Sequence, residues 1–265
     1  MATKKKIGII QFPGSNCERE TRHAVTFYGM SADILRWTVS PNQFHDYDAY
    51  IIPGGFSFQD RVRAGVIAAK LPIMNEIVTA AQNKKPVLGI CNGCQVLAES
   101  GLVPDTNNSQ TIEMALAPNQ KDQHSHGFVC DWVFVKPSQP EQNIFTALFE
   151  PDDVIPIPIN HGEGRFVFQS TTPYPFSTFH YCNAEGKQEN SYPTNPNGTT
   201  ANIAGIGNKS GNVFAMMPHP ERAYLSRQIP SWILGDWPHK KETFFQTETN
   251  APGPWEKLFI ALKEY

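Results

Sequence analysis

The sequence has no stretch long and apolar enough to span a bilayer. The first apolar run, Ile7 to Ile10 behind the basic Met1 to Lys6, breaks at Gln11 and is too short for the core of a secretion signal. Cysteine is sparse and odd in number, five in 265 residues with no framework spacing. That excludes a disulfide-stapled scaffold and points to a reducing compartment, so the expectation is a cytoplasmic protein with no membrane partner. Basic excess is missing as well: the net charge is −3, which excludes a nucleic-acid binder driven by phosphate contacts. No G-x-x-x-x-G-K-[ST] phosphate loop occurs. Gly205-Ile206-Gly207-Asn208-Lys209-Ser210 imitates a fragment of one with the wrong glycine spacing. There is no internal repeat and no linker. What is present, 40% hydrophobic and 18% charged residues, suffices for a sizeable α/β core.

The order of elements predicts a doubly wound, mostly parallel sheet flanked by helices. Lys6 to Gln11, Ala32 to Trp37, Asp48 to Ile52 and Val87 to Ile90 read as strands. Helices are predicted after Ser15-Asn16, over Gln59 to Ala69, over Pro72 to Asn83, and from Gln95. From Phe128 onward strands follow one another without helices: Phe128 to Val135, Val154 to Ile159 and Arg165 to Gln169 are expected as antiparallel additions at the sheet edge. Ile203 to Gly207 and Val213 to Met217 read as a hairpin, and Trp255 to Tyr265 as a closing amphipathic helix.

Two stretches carry chemistry. Gly89-Ile90-Cys91-Asn92-Gly93 has the outline of a nucleophile elbow, in which a strained strand-to-helix turn exposes the nucleophile beside the positive end of a helix. In Pro218-His219-Pro220-Glu221, proline disfavours helix before it, so His219 and Glu221 at extended spacing share one side. Glu221 then orients an imidazole whose other nitrogen faces a thiol, the base-and-orienter arrangement of a Cys-His-Glu triad. Because ligands sit beyond the carboxyl ends of such strands, the Gly54-Gly55 turn and Cys91 should share one crevice.

These two motifs resemble the class I (triad) glutamine amidotransferases. Phe12-Pro13-Gly14-Ser15-Asn16-Cys17, Gly54-Gly55-Phe56-Ser57-Phe58-Gln59-Asp60 with Arg63-Ala64-Gly65, His161-Gly162-Glu163-Gly164-Arg165 and Asn195-Pro196-Asn197-Gly198 narrow the resemblance to the glutaminase subunits of phosphoribosylformylglycinamidine synthases. The resemblance implies a flavodoxin-like fold and a single type 1 amidotransferase domain over 1–265, with a core of about 6–223 and an extension over 224–265. It implies a chain that hydrolyses L-glutamine and passes ammonia to a synthetase subunit, where ATP and magnesium convert formylglycinamide ribonucleotide to its amidine in purine biosynthesis. A small bridging subunit accompanies the pair in many organisms. This chain then carries no cofactor or metal. By position, Cys91 is the nucleophile, His219 the base and Glu221 its orienter; the N–H groups of Gly55 and Asn92 donate to the oxyanion, and Gln95 contacts glutamine. The His161-Gly162-Glu163-Gly164 loop lies near the pocket or partner interface without a catalytic role. Cys94 stands where the family usually has an aromatic residue, and Asp131 where a basic one is common.

Cys91-Asn92-Gly93-Cys94 is also formally a CxxC, the mark of a thiol–disulfide oxidoreductase. That reading leaves the His-Pro-Glu stretch unused. A stand-alone hydrolase on the same sheet uses the triad but needs no partner, and a non-catalytic homologue would not need it at all. His124-Ser125-His126 lacks cysteine or carboxylate partners at ligand spacing and reads as a polar loop.

Overall fold

A computed structural model describes residues 4–121, 127–169, 175–245 and 250–265. The His124-Ser125-His126 stretch lies outside them. Eleven strands are formed in chain order, β1 (Lys6–Gln11), β2 (Ser31–Arg36), β3 (Ala49–Ile52), β4 (Val87–Ile90), β5 (Met114–Ala117), β6 (Val129–Pro137), β7 (Ile155–His161), β8 (Arg165–Phe168), β9 (Ser177–Cys182), β10 (Ile203–Gly207) and β11 (Val213–Met216). The helices are α1 (Glu18–Phe27), α2 (Pro41–Phe44), α3 (Ile73–Gln82), α4 (Asn92–Glu99), α5 (Trp237–Phe245) and α6 (Glu256–Glu264). No helix among the described residues is long and apolar enough to cross a membrane.

Nine strands form one sheet in the order β2-β1-β3-β4-β11-β10-β9-β6-β7. The first five run parallel; the edge strand β2 buries only Leu35, while every residue of β3, β4 and β11 is buried. That is the burial a parallel sheet covered by helices requires. The last four strands are antiparallel. The β10–β11 hairpin forms as predicted, and its second strand joins the parallel half beside β4.

The antiparallel half returns to the carboxyl ends of the parallel strands through the open edge of β7. On that edge the Pro156 carbonyl accepts from Trp255 Nε1 at 3.1 Å and the Pro158 carbonyl from the His219 N–H at 2.9 Å. The Asn160 carbonyl lies 3.7 Å from the Cys91 Sγ. Prolines are tolerated here because an unpaired edge asks for no ladder N–H from them. The closing helix is anchored by the same contact: Trp255 is fully buried among Phe149 and Phe179, and Phe259 stacks on Tyr28.

Two expectations need correction. Gln59 to Ala69 is not a helix but a pair of short 3₁₀ turns, Ser57–Asp60 and Ala68–Lys70, with positive φ at Phe58, Gln59, Asp60 and Val62. Backbone contacts override propensity there: Phe56 and Phe58 donate to Gly14 and Pro13, at 2.9 and 2.7 Å. Arg165–Phe168 does not extend the main sheet; it pairs with Met114–Ala117 in a separate two-stranded sheet. Its partner Met-Ala-Leu-Ala has no β-branched residue, and the Ser177–Cys182 strand also went unread.

Candidate active site

Cys91 follows β4 directly and precedes α4 with φ 52° and ψ −105°, a backbone conformation that a non-glycine residue adopts only under strain. The strain is held by packing. A Cβ on Gly93 would lie 1.9 Å from the Ile52 carbonyl oxygen, so α4 sits directly against β3, as only glycine permits. The Cys91 N–H is fixed by the Met216 carbonyl at 2.8 Å. The thiol therefore projects at the amino end of α4, where the helix dipole favours negative charge.

His219 and Glu221 come together as expected, though by a different local geometry. Pro220–Arg222 forms a 3₁₀ turn rather than an extended segment, and His219 Nδ1 lies 2.6 Å from Glu221 Oε1. Both side chains are buried. Burial alone would push the imidazole toward its neutral form. The Glu221 carboxylate and the neighbouring Cys91 and Cys17 thiols outweigh it, so the imidazolium persists well above its ordinary range. The Nδ1 contact leaves Nε2 as the nitrogen available to a thiol, and Nε2 has no hydrogen-bond partner among the described residues.

The Gly54-Gly55 turn packs on this pair: a Cβ on Gly54 would meet His219 Cε1 at 2.7 Å. Gly55 bridges to Ser15. The turn is tied to the elbow through Asn92, whose Oδ1 accepts the Ser57 N–H at 3.1 Å. Asn92 Nδ2 donates to Gln95 Oε1 at 2.9 Å and to Asp60 Oδ1 at 3.3 Å. Gln95 Nε2 donates to the Glu163 carbonyl at 2.7 Å, which ties the His161–Gly164 loop to the elbow helix. Burial, with help from Glu163, raises the Asp60 carboxyl to about 6. Cys94 is fully buried in α4, and burial lifts its thiol well above the ordinary range. Cys91 and Cys94 are separate free cysteines.

Sequence reading gave no role to Cys17. Its Sγ lies 3.1 Å from Arg222 Nη2 and donates to Asn16 Oδ1 at 3.0 Å. Burial pushes this thiol to about 11, against the opposing pull of His219. Cys17, His219 and Glu221 offer ligand atoms within 4.8 Å of one another, the one compact metal-type group among the described residues. Its atoms are already engaged by the histidine–carboxylate bond and by a guanidinium, whose charge opposes a cation. No short motif reveals such a neighbour, because only the tertiary fold brings Cys17 to His219.

A mostly parallel sheet with a strained cysteine at the end of a central strand defines a class I glutamine amidotransferase fold. Residues 4–265 match the CobB/CobQ-like glutamine amidotransferase domain. The phosphoribosylformylglycinamidine synthase subunit PurQ of Methanothrix thermoacetophila is 39% identical over 273 residues, covering 98% of this chain and 97% of that protein. The same subunit of Chlorobium luteolum is 42% identical over 222 residues, covering 82% and 89%. The solved structure of PurLQS from Thermotoga maritima matches with a TM-score of 0.73 and 31% identity over 99% of both chains. The chain belongs to the CobB/CobQ-like glutamine amidotransferases and, among them, to the family of the PurQ subunit of phosphoribosylformylglycinamidine synthase.

Proposed function

We propose that this chain hydrolyses L-glutamine to glutamate and ammonia and supplies the ammonia to an ATP-dependent synthetase subunit. That partner converts formylglycinamide ribonucleotide to the amidine in purine biosynthesis, in the cytoplasm, with ATP and magnesium on its own chain and a small bridging subunit in the assembly. The chain acts as one amidotransferase domain, a reading supported by the burial of Trp255, Leu258 and Phe259 of the extension in the main core. The observation that carries the function is a strained elbow cysteine whose histidine neighbour is held by a buried carboxylate at 2.6 Å.

In the proposed mechanism the Cys91 thiolate attacks the γ-carboxamide carbon, and the oxyanion is met by the N–H groups of Gly55 and Asn92. His219 gives a proton to the departing nitrogen, and the C–N bond breaks to leave a γ-glutamyl thioester and ammonia. Water then attacks the thioester carbon and loses its proton to His219. The C–S bond breaks, glutamate leaves and the thiolate is restored. Glu221 holds the imidazolium in place and stabilises its charge. Gln95, on the elbow helix, contacts the bound glutamine.

Replacing Cys91 by serine tests the proposal: glutamine hydrolysis is lost, while amidine synthesis by the complex with added ammonia persists. Retained hydrolysis would refute it.

A further inference from the structure

The proposed reaction uses one buried histidine, and a second lies beside it unused. His161 ends β7 and is buried, with Nδ1 3.1 Å from Asn119 Oδ1. The orientation of the Asn119 amide follows from its other contacts. Its Nδ2 donates to the carbonyls of His161 and Gly127 at 2.8 and 3.0 Å, and its Oδ1 accepts the Gly164 N–H at 2.9 Å. An oxygen that accepts on one side accepts on the other, so Nδ1 of His161 carries the proton and Nε2 is a bare lone pair. The ring is held flat against Gly164, where a Cβ would lie 2.2 Å from His161 Cε1.

Nε2 has no hydrogen-bond partner among the described residues. A buried acceptor deprived of water is normally satisfied by some donor. Burial first, and then the charge of His219, push the His161 imidazole down to about 3. This nitrogen is therefore an acceptor with no proton to give. Its residue sits between two contacts to the elbow: it follows Asn160, whose carbonyl faces the Cys91 thiol at 3.7 Å, and two residues on the Glu163 carbonyl accepts from Gln95 Nε2 at 2.7 Å.

On the glutaminase reading, formation of the thioester releases one small N–H donor at this place. We propose that His161 Nε2 accepts a hydrogen bond from the released ammonia and holds it as it leaves Cys91. The chemistry suits the task. Ammonia attacks an electrophile only through its lone pair, and an acidic neighbour would convert it to ammonium. A neutral imidazole presenting only a lone pair binds ammonia through its hydrogens and leaves it nucleophilic.

The test uses the complete complex and compares glutamate formed with amidine formed. His161→Asn keeps an N–H for Asn119 and removes the distal acceptor. His161→Gln restores an acceptor near the position of Nε2. Whatever the effect on the rate of glutamate release, the glutamate-to-amidine ratio should rise at least about fivefold in the asparagine variant. It should return toward the wild-type value in the glutamine variant. A purely structural role would move the melting temperature and leave the ratio alone. An unchanged ratio overturns the inference, and so does a raised glutamine KM at unchanged ratio, which would assign Nε2 to the substrate. Should the asparagine variant not fold, the ¹⁵N resonance of His161 Nε2 in the wild-type complex decides: it shifts on adding ammonia, and no shift overturns the inference. A wild-type complex that forms no glutamate removes the glutaminase reading itself. One that forms glutamate with the ratio unmoved by His161→Asn removes this inference alone.

Discussion

The two halves of the sheet each bury a histidine beside the elbow, and they treat it in opposite ways. The segment following β11 gives His219 a carboxylate, Glu221, and the imidazolium persists far above its ordinary range. The end of β7 gives His161 a carboxamide, Asn119, and the imidazole stays neutral to about 3. Both rings are buried; the groups around them differ, with the Glu221 carboxylate and two thiols beside His219 and the charge of His219 itself acting on His161. A carboxylate stabilises the charged ring, whereas a carboxamide oxygen fixes a tautomer without offering a countercharge. One fold thus holds one buried imidazole in its charged form and another in its neutral form.

The largest effect should come from the thiol beside His219. Cys91→Ser is expected to lower glutamine turnover by at least about 10³-fold, whereas Cys94→Ala, changing a thiol enclosed in the core, leaves most of it. Equal losses would contradict the assignment. Next comes the partner of His219. Glu221→Gln gives it the carboxamide environment of His161, and turnover should fall about 10²-fold with little change in glutamine KM. A large rise in KM at constant turnover would make Glu221 a substrate-binding residue.

A smaller effect concerns the Gly54-Gly55 turn, which packs against His219 and is tied to Asn92. Rotation of one peptide there would add or remove an oxyanion donor, so the isolated chain should be a poor glutaminase. Steady-state ammonia release should rise at least about tenfold on adding the synthetase partner with its nucleotide. Full activity of the lone chain would favour a stand-alone hydrolase.

The parallel half and the elbow were legible because their signals are local. Val87 to Ile90, Cys91 and the two glycines around it declare a strand, a strained turn and a helix within a few residues. The antiparallel half was legible only in part. β6, β7 and the hairpin announced themselves by β-branched and aromatic residues, while Met114–Ala117 has none and Gln59 to Ala69 was reshaped by the Pro13-Gly14 backbone. The proposed triad positions stood in two motifs, but the Cys17 neighbour and the Asn119–His161 pair depend on chain segments distant in sequence.

A further consequence is thermodynamic rather than kinetic. The unfolded chain binds a proton at His161 below about 6.5 and the folded chain not until about 3, so stability should fall as pH drops through that window. One proton corresponds to a slope of about 1.4 kcal/mol per pH unit. His219 has the opposite sign: its contribution is present below its unfolded pKa and is lost as pH rises through the raised folded value. Denaturant unfolding between pH 3 and 6.5 should therefore lose about one proton of slope in His161→Gln. An unaltered slope would mean that His161 is not held neutral.

Two thiols flank His219, the strained Cys91 and the enclosed Cys17, and only one of them can be the nucleophile. The most direct measurement is peptide mass spectrometry of the complex treated with an electrophilic glutamine analogue. A single adduct on Cys91 is predicted, blocked by excess glutamine. An adduct on Cys17, or a reversible Cys91–Cys94 disulfide in place of any adduct, would contradict it.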